Sequence, residues 1–257
     1  MATTELREAK RPTEARGWRL ARVARETGAR WRAGWRATPA AARRRWLWTV
    51  AIGYALLLAT IVAVAWLGAA YVGGGPLPGE AAFDLRLVRA LHVKFNAAIW
   101  LQTPGTDIPL VIVLVATVGP LAWRGRALEA LSVLGGYVLV YSAVNLAWIV
   151  WARARPTIIA GGIAAPGFSS FPSGHTAKAF AVYGILGYLW ARRTRSFSER
   201  VTAFVFVFGV SCLVAIGRLG MGAHWPSDVA GGAFFGLFLL LIMILALRAA
   251  DAGARDG

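Results

Sequence analysis

The chain has 257 residues, 58% of them hydrophobic, and a mean hydropathy of +0.57. Its apolar residues fall in blocks of about 18 or so, long enough to cross a bilayer as helices, which excludes an ordinary soluble globular domain. The formal net charge is +16, and the single cysteine excludes an internal disulfide or a cysteine-built zinc cluster.

Residues 1–45 hold thirteen basic and four acidic residues, so they carry +9 of the +16. This pattern is expected of a cytoplasmic arm that obeys the positive-inside rule. Trp31, Trp35 and Trp46 interleave with its arginines and suit a lipid interface. No nucleic-acid partner is expected. The first apolar run begins too far from Met1 for a cleavable signal peptide, and Glu5, Glu8, Glu14 and Glu26 disfavour a transit peptide.

The first apolar block runs from about Leu47 to Val72 and stops at Gly73-Gly74-Gly75-Pro76. In the mixed stretch 77–107, Leu85, Val88, Leu91 and Phe95 approach helical spacing among basic residues, the signature of an amphipathic surface helix. Further blocks run over about Ile108–Trp123, Leu128–Trp151, His175–Trp190, Val201–Ile216 and Pro226–Leu247. The expected fold is therefore all-α, a polytopic membrane protein of six transmembrane helices. Its expected divisions are an arm at 1–45, a membrane domain at 46–248 and a short tail at 249–257. Six spans put both termini on one side together with the basic loops 124–126 and 192–200, which makes that side the cytoplasm. Segments 73–107, 152–174 and 217–225 then face outward. Cys212 reads as packing, His92 as solvated and Asn145 as a helix–helix hydrogen bond.

Three polar stretches interrupt the apolar pattern: Arg153-Ala154-Arg155-Pro156, Phe171 to His175, and Gly217-Arg218 through His224 to Asp228. The topology brings all three to one membrane face, where charges are costly unless functional. Arg155 and Arg218 offer planar forks that match phosphate oxygens. Ser173 stands where a helix N-cap belongs, so the amides of Gly174 and His175 would form an anion site. His224 and Asp228, four apart, share a face if helical, and the carboxylate would hold the imidazole in one tautomer. Two imidazoles beside an anion cradle suit phosphoryl transfer through a covalent histidine intermediate.

With these residues in view, the chain resembles the type-2 phosphatidic acid phosphatase family, which also includes vanadium haloperoxidases. The family pattern is Lys-x6-Arg-Pro, then Pro-Ser-Gly-His, then Ser-Arg-x5-His-x3-Asp. Here the second motif is complete at Pro172–His175. The third is present at Arg218, His224 and Asp228 with Gly217 in place of serine. The first keeps Arg155-Pro156 but has Trp148 where the lysine belongs. The resemblance covers roughly residues 47–248. It implies that His224 is the nucleophile oriented by Asp228, and that His175 protonates the leaving oxygen and then activates water. It also implies that Arg155, Ser173, Gly174 and Arg218 hold the phosphoryl oxygens, with no metal and no cofactor. Lys178, one turn after His175, is a candidate replacement for the missing lysine, as is Arg153. The expected partners are a phosphorylated or pyrophosphorylated lipid and the bilayer of the cell membrane, with the active site extracytoplasmic. A phosphotransferase using the same residues, a degenerate lipid-binding homologue and a two-histidine metal hydrolase are the competing readings.

Overall fold

The computed structural model describes residues 2–91, 95–156 and 169–255, with side chains from residue 19 onward apart from 87–96. Every regular element among them is helical. Helix α1 (Ala2–Ala37) gives way to α2 (Ala40–Tyr71) at Thr38-Pro39. Proline lacks an amide hydrogen and disfavours helix in the residue before it, so the two helices cannot merge. Short helices α3 (Glu80–Leu91) and α4 (Phe95–Gln102) and one 3₁₀ turn lead into α5 (Asp107–Trp123). Then come α6 (Ala127–Val150), α7 (Gly174–Ala191), α8 (Phe197–Gly220) and α9 (Pro226–Arg255).

Six helices, α2 and α5–α9, run antiparallel between two ends of one bundle. At one end the loops knit together: Trp151 Nε1 donates to Gly73 O, Ala154 N to Gly74 O, and Trp225 Nε1 to Ala154 O. At the other end the charges pair. Arg126 and Arg193 both reach Glu129, and Arg192 reaches Asp251. The basic arm belongs to this second end, where Arg30 covers the Trp123 ring. A Cβ on Gly34 would collide with the backbone of Gly125, 2.0 Å from its carbonyl oxygen. The arm is thus a helix packed on the bundle, and α9 continues without a break to Arg255.

Five segments are long and apolar enough to cross a membrane: α2, residues 97–123, α6, α8 and α9. Much of their surface is apolar and exposed, as lipid-facing helices require. The protein is a multi-pass membrane protein. Helix α7 differs from the rest, because thirteen of its eighteen residues are buried, Lys178 among them. A helix buried on all sides belongs to the centre of the bundle, and α7 is flanked by α6, α8 and α9. Helix α9 approaches it through Gly232 and Gly236. Side chains there would press within 2.5 Å of Ser173 O and Ala177 O respectively, so only glycine permits this approach. That contact sets Asp228, one turn earlier on α9, directly under the start of α7, where Ser173 N donates to Asp228 O across 2.9 Å.

Candidate active site

A cavity of about 350 Å³ opens at the knitted end of the bundle. It is lined by Asp107, Tyr141, Val144, Trp148, Arg155, Gly174, His175, Lys178, Arg218 and His224. Residues from the loop after α6, from α7 and from the turn between α8 and α9 therefore meet at one place.

His224 lies in the turn before α9, 1% exposed. Its Nδ1 is 2.8 Å from Ser170 O. A carbonyl only accepts, so Nδ1 carries the proton and Nε2 keeps its lone pair. Burial pushes the imidazole down to about 4, against the opposing pull of Asp228, and the guanidiniums of Arg218 and Arg155 push the same way as burial. His224 is thus neutral near pH 7, and Nε2 lies 3.3 Å from Arg155 Nη1.

The expected direct clasp of His224 by Asp228 is not what the geometry gives. The closest carboxylate approach to Nδ1 is 3.7 Å, beyond hydrogen-bond reach. Asp228 is occupied elsewhere: Oδ1 accepts from Arg153 Nη1 at 2.6 Å, and Oδ2 accepts from the Ser170 hydroxyl and from Trp225 N at 2.8 Å. Asp228 holds Ser170, and the Ser170 carbonyl aims the ring.

Arg155 Nη1 donates to Ala223 O at 2.7 Å, and Arg218 Nη1 donates to Gln102 Oε1 at 2.5 Å. Both partners are neutral, so neither positive charge is cancelled. The Nε of each arginine is buried and has no acceptor among the described residues. Burial lowers the Arg155 pKa, a sign of a charge held partly out of water. Two buried guanidinium donors facing one cavity favour an anion.

Ser173 occupies the N-cap position of α7, yet its side chain makes no capping bond. Its Oγ accepts from the Thr176 hydroxyl at 3.0 Å, and it does not line the cavity, whereas Gly174 and His175 do. Lys178 also lines the cavity, where its ammonium pairs with Asp107 and lies 5.7 Å from the Tyr141 ring centroid. Arg153 does not line it. Fully buried, Arg153 donates to Glu80 Oε2 at 2.5 Å, to Ser227 Oγ at 2.7 Å and to Gly75 O at 3.1 Å besides Asp228. It is a buried strut behind His224 and not a replacement for the missing lysine. Trp148 turns its indole N–H onto Pro172 O at 3.1 Å, with the ring against Gly174. Asn145 bonds back to Tyr141 O of its own helix instead of bridging helices, and His92 lies outside the described residues.

Sequence reasoning missed Ser170, Glu80 and Asp107. Asp107 had one available signal, since it is a lone acid at the head of an apolar block where a helix N-terminus attracts it. Ser170 acts through its carbonyl and had none.

Residues 129–251 match the model of the PAP2 superfamily. Phosphatidylglycerophosphatase B of Bacillus subtilis (strain 168) is 35% identical over 75 residues, 29% of this chain and 37% of that protein. Lipid A 1-phosphatase of Porphyromonas gingivalis is 31% identical over 143 residues, 52% of this chain and 29% of that protein. The chain thus spans about a third of the length of these curated relatives. In fold it is similar to the crystal structure of a transmembrane PAP2 type phosphatidylglycerolphosphate phosphatase from Bacillus subtilis. The TM-score is 0.58 at 20% identity, over 75% of this chain and 93% of that one.

Proposed function

We propose that the chain, whose residues 129–251 match the PAP2 superfamily, is a membrane phosphatase of that family that hydrolyses a phosphorylated or pyrophosphorylated lipid through a phosphohistidine. The observation that carries this reading is the locked tautomer of His224. Its Nδ1–H is given to Ser170 O, which leaves the Nε2 lone pair 3.3 Å from Arg155 Nη1 in a cavity that Arg218 also lines.

The steps follow from that geometry. His224 Nε2 attacks the phosphorus, and the bond from phosphorus to the ester or anhydride oxygen breaks. His175 delivers a proton to the departing oxygen. Water then attacks the phosphohistidine, His175 takes its proton, and the P–N bond breaks to return His224 and inorganic phosphate. Arg155, Arg218 and the amides of Gly174 and His175 at the N-terminus of α7 balance the charge on the phosphoryl oxygens. Lys178 contributes a third cation, and Ser173 supports the start of α7.

In the bilayer, α7 is the fourth of six spans. The end bearing the cavity faces the extracytoplasmic side of the cell membrane. Both termini, the basic arm at 1–45 and the tail at 249–257, lie in the cytoplasm with loops 124–126 and 192–200, and residues 46–248 form the catalytic domain. The charge asymmetry of the two ends supports this orientation.

The test is phosphate release by the purified protein from lipid phosphates and diphosphates in the presence of EDTA, with an alcohol acceptor in a parallel arm. Release that survives the chelator supports the reading. Activity lost to EDTA and restored by zinc or magnesium favours a metal hydrolase instead, and transfer that outpaces release favours a phosphotransferase.

A further inference from the structure

The fixed charges lining the cavity do not all share one sign. Among the described residues, Arg155, Arg218 and Lys178 are cationic and Asp107 is anionic. Asp107 begins α5, pairs with the Lys178 ammonium and accepts from Tyr137 Oη at 3.1 Å. The two arginines have neutral protein partners, whereas the positive charge of Lys178 is cancelled by Asp107. Among the described residues the cavity therefore presents two uncancelled positive charges, which match the nearly dianionic group of a phosphate monoester.

Depth fixes where a second phosphate would go. His224 is 1% exposed, whereas the Asp107 side chain is 60% exposed. A terminal phosphoryl group at His224 Nε2 leaves the inner phosphate of a diphosphate farther out, on the side of Asp107. That phosphate would meet a carboxylate in a partly desolvated site, where like charges are costly.

From this arrangement we infer that Asp107 is a specificity-determining residue that selects lipid phosphate monoesters over lipid diphosphates. The inference rests on the hydrolase reading and deepens it. In the cavity Asp107 pairs with the Lys178 ammonium. When a monoester binds, Lys178 is shared between the phosphate and Asp107 with the charge still balanced. A diphosphate brings one more ionised oxygen than the cations can offset.

The experiment compares kcat/KM on a lipid monophosphate and a lipid diphosphate with the same hydrocarbon tail, for wild type, Asp107→Asn and Asp107→Glu. Asparagine keeps a carbonyl for Tyr137 and Lys178 and removes only the charge. Wild type should favour the monophosphate by about tenfold or more, and Asp107→Asn should narrow the ratio by about tenfold, mostly through faster diphosphate cleavage. Asp107→Glu should keep the preference. A ratio that Asp107→Asn leaves unchanged, or a wild type that prefers the diphosphate, overturns the inference while the hydrolase reading stands. If neither lipid is cleaved, the hydrolase reading fails. The inference is then read from thermal protection by inorganic phosphate against pyrophosphate. Wild type should be protected more by phosphate, Asp107→Asn should lose that bias, and an equal bias in both proteins overturns the inference.

Discussion

Arg153 Nη1 sits 2.6 Å from Asp228 Oδ1, with both side chains closed to solvent. The other arm of the same guanidinium reaches Glu80, whose second oxygen accepts from Ser227 N at 2.8 Å. One buried cation therefore ties α3, the loop after α6 and α9 together behind His224. Removing it leaves two buried carboxylates without their counter-charge. Arg153→Met should destabilise the protein by about 3–5 kcal/mol, read as a lower melting temperature in detergent. In whatever fraction folds, KM should be unchanged, because Arg153 does not line the cavity. A melting temperature equal to wild type would remove the strut from the account.

His224→Ala should lower turnover on the order of 10³-fold or more, since groups that act as one unit cost nearly everything when any one is lost. Asp228→Asn should cost less in turnover, because it acts on the imidazole only through Ser170. Stopped-reaction trapping with a radiolabelled substrate should label wild type and leave His224→Ala unlabelled. Near-normal turnover in His224→Ala would sink the phosphohistidine mechanism.

Lys178→Met should weaken transition-state stabilisation by roughly 2–4 kcal/mol, the scale of one preorganised donor. Trp148 stands where the family pattern has its lysine, and its indole already shares a wall of the cavity with Lys178. Trp148→Lys should therefore restore part of what Lys178→Met loses. If Lys178→Met keeps full kcat/KM, the lysine serves only to hold Asp107.

Asp84 is 1% exposed, and neither of its oxygens has a hydrogen-bond partner among the described residues. Burial raises its pKa from 3.8 to about 6, and the nearby charges of Glu80 and Asp228 add to the shift. The native state therefore binds this proton more tightly than the unfolded chain does. Stability is greatest below about 3.8 and falls as pH rises through about 6. Asp84→Asn should remove that loss. It should raise the melting temperature at pH 8, by roughly 2–4 °C for each kcal/mol relieved, and change it little at pH 4. An equal effect at both pH values would mean that ionisation is not the cause.

The orientation is read by cysteine labelling in intact cells, in a Cys212→Ala background. Glu80 is a poor site because it is buried and bound to Arg153, whereas Leu77 and Arg195 are exposed. Leu77→Cys should react with an impermeant reagent and Arg195→Cys should not. The reverse pattern would invert the protein in the membrane.

The sequence made the apolar helices legible to within a few residues wherever glycine, proline or arginine punctuates them. Helix α5, expected from Ile108, begins at Asp107, and α9 begins at Pro226 as expected. Block lengths hid the extensions at the basic end, because α2 starts at Ala40 and α9 runs to Arg255 on polar residues that hydropathy reads as loop. At the site, the motifs announced His175, His224, Arg155 and Arg218, since each breaks an apolar run with a charge that a bilayer would not tolerate idly. What stayed hidden were pairings across long stretches of chain. Arg153 meets Glu80, 73 residues away, and Lys178 meets Asp107, 71 residues away. No local pattern encodes such a meeting, which depends on how the helices are ordered around α7.

Ser170 touches the Asp228 and His224 side chains through different atoms. Its hydroxyl goes to Asp228, and its carbonyl goes to His224. Every amino acid has a carbonyl, so the aim of His224 is written into the main chain, whereas the hydroxyl that anchors this stretch to Asp228 belongs to serine. A substitution scan at Ser170 therefore reads the loss of the hydroxyl and is blind to the carbonyl. What this position guards against is a change in the number of residues between the first two motifs. A single insertion or deletion beside Ser170 would swing the carbonyl away and blind the imidazole while every motif residue remained in place.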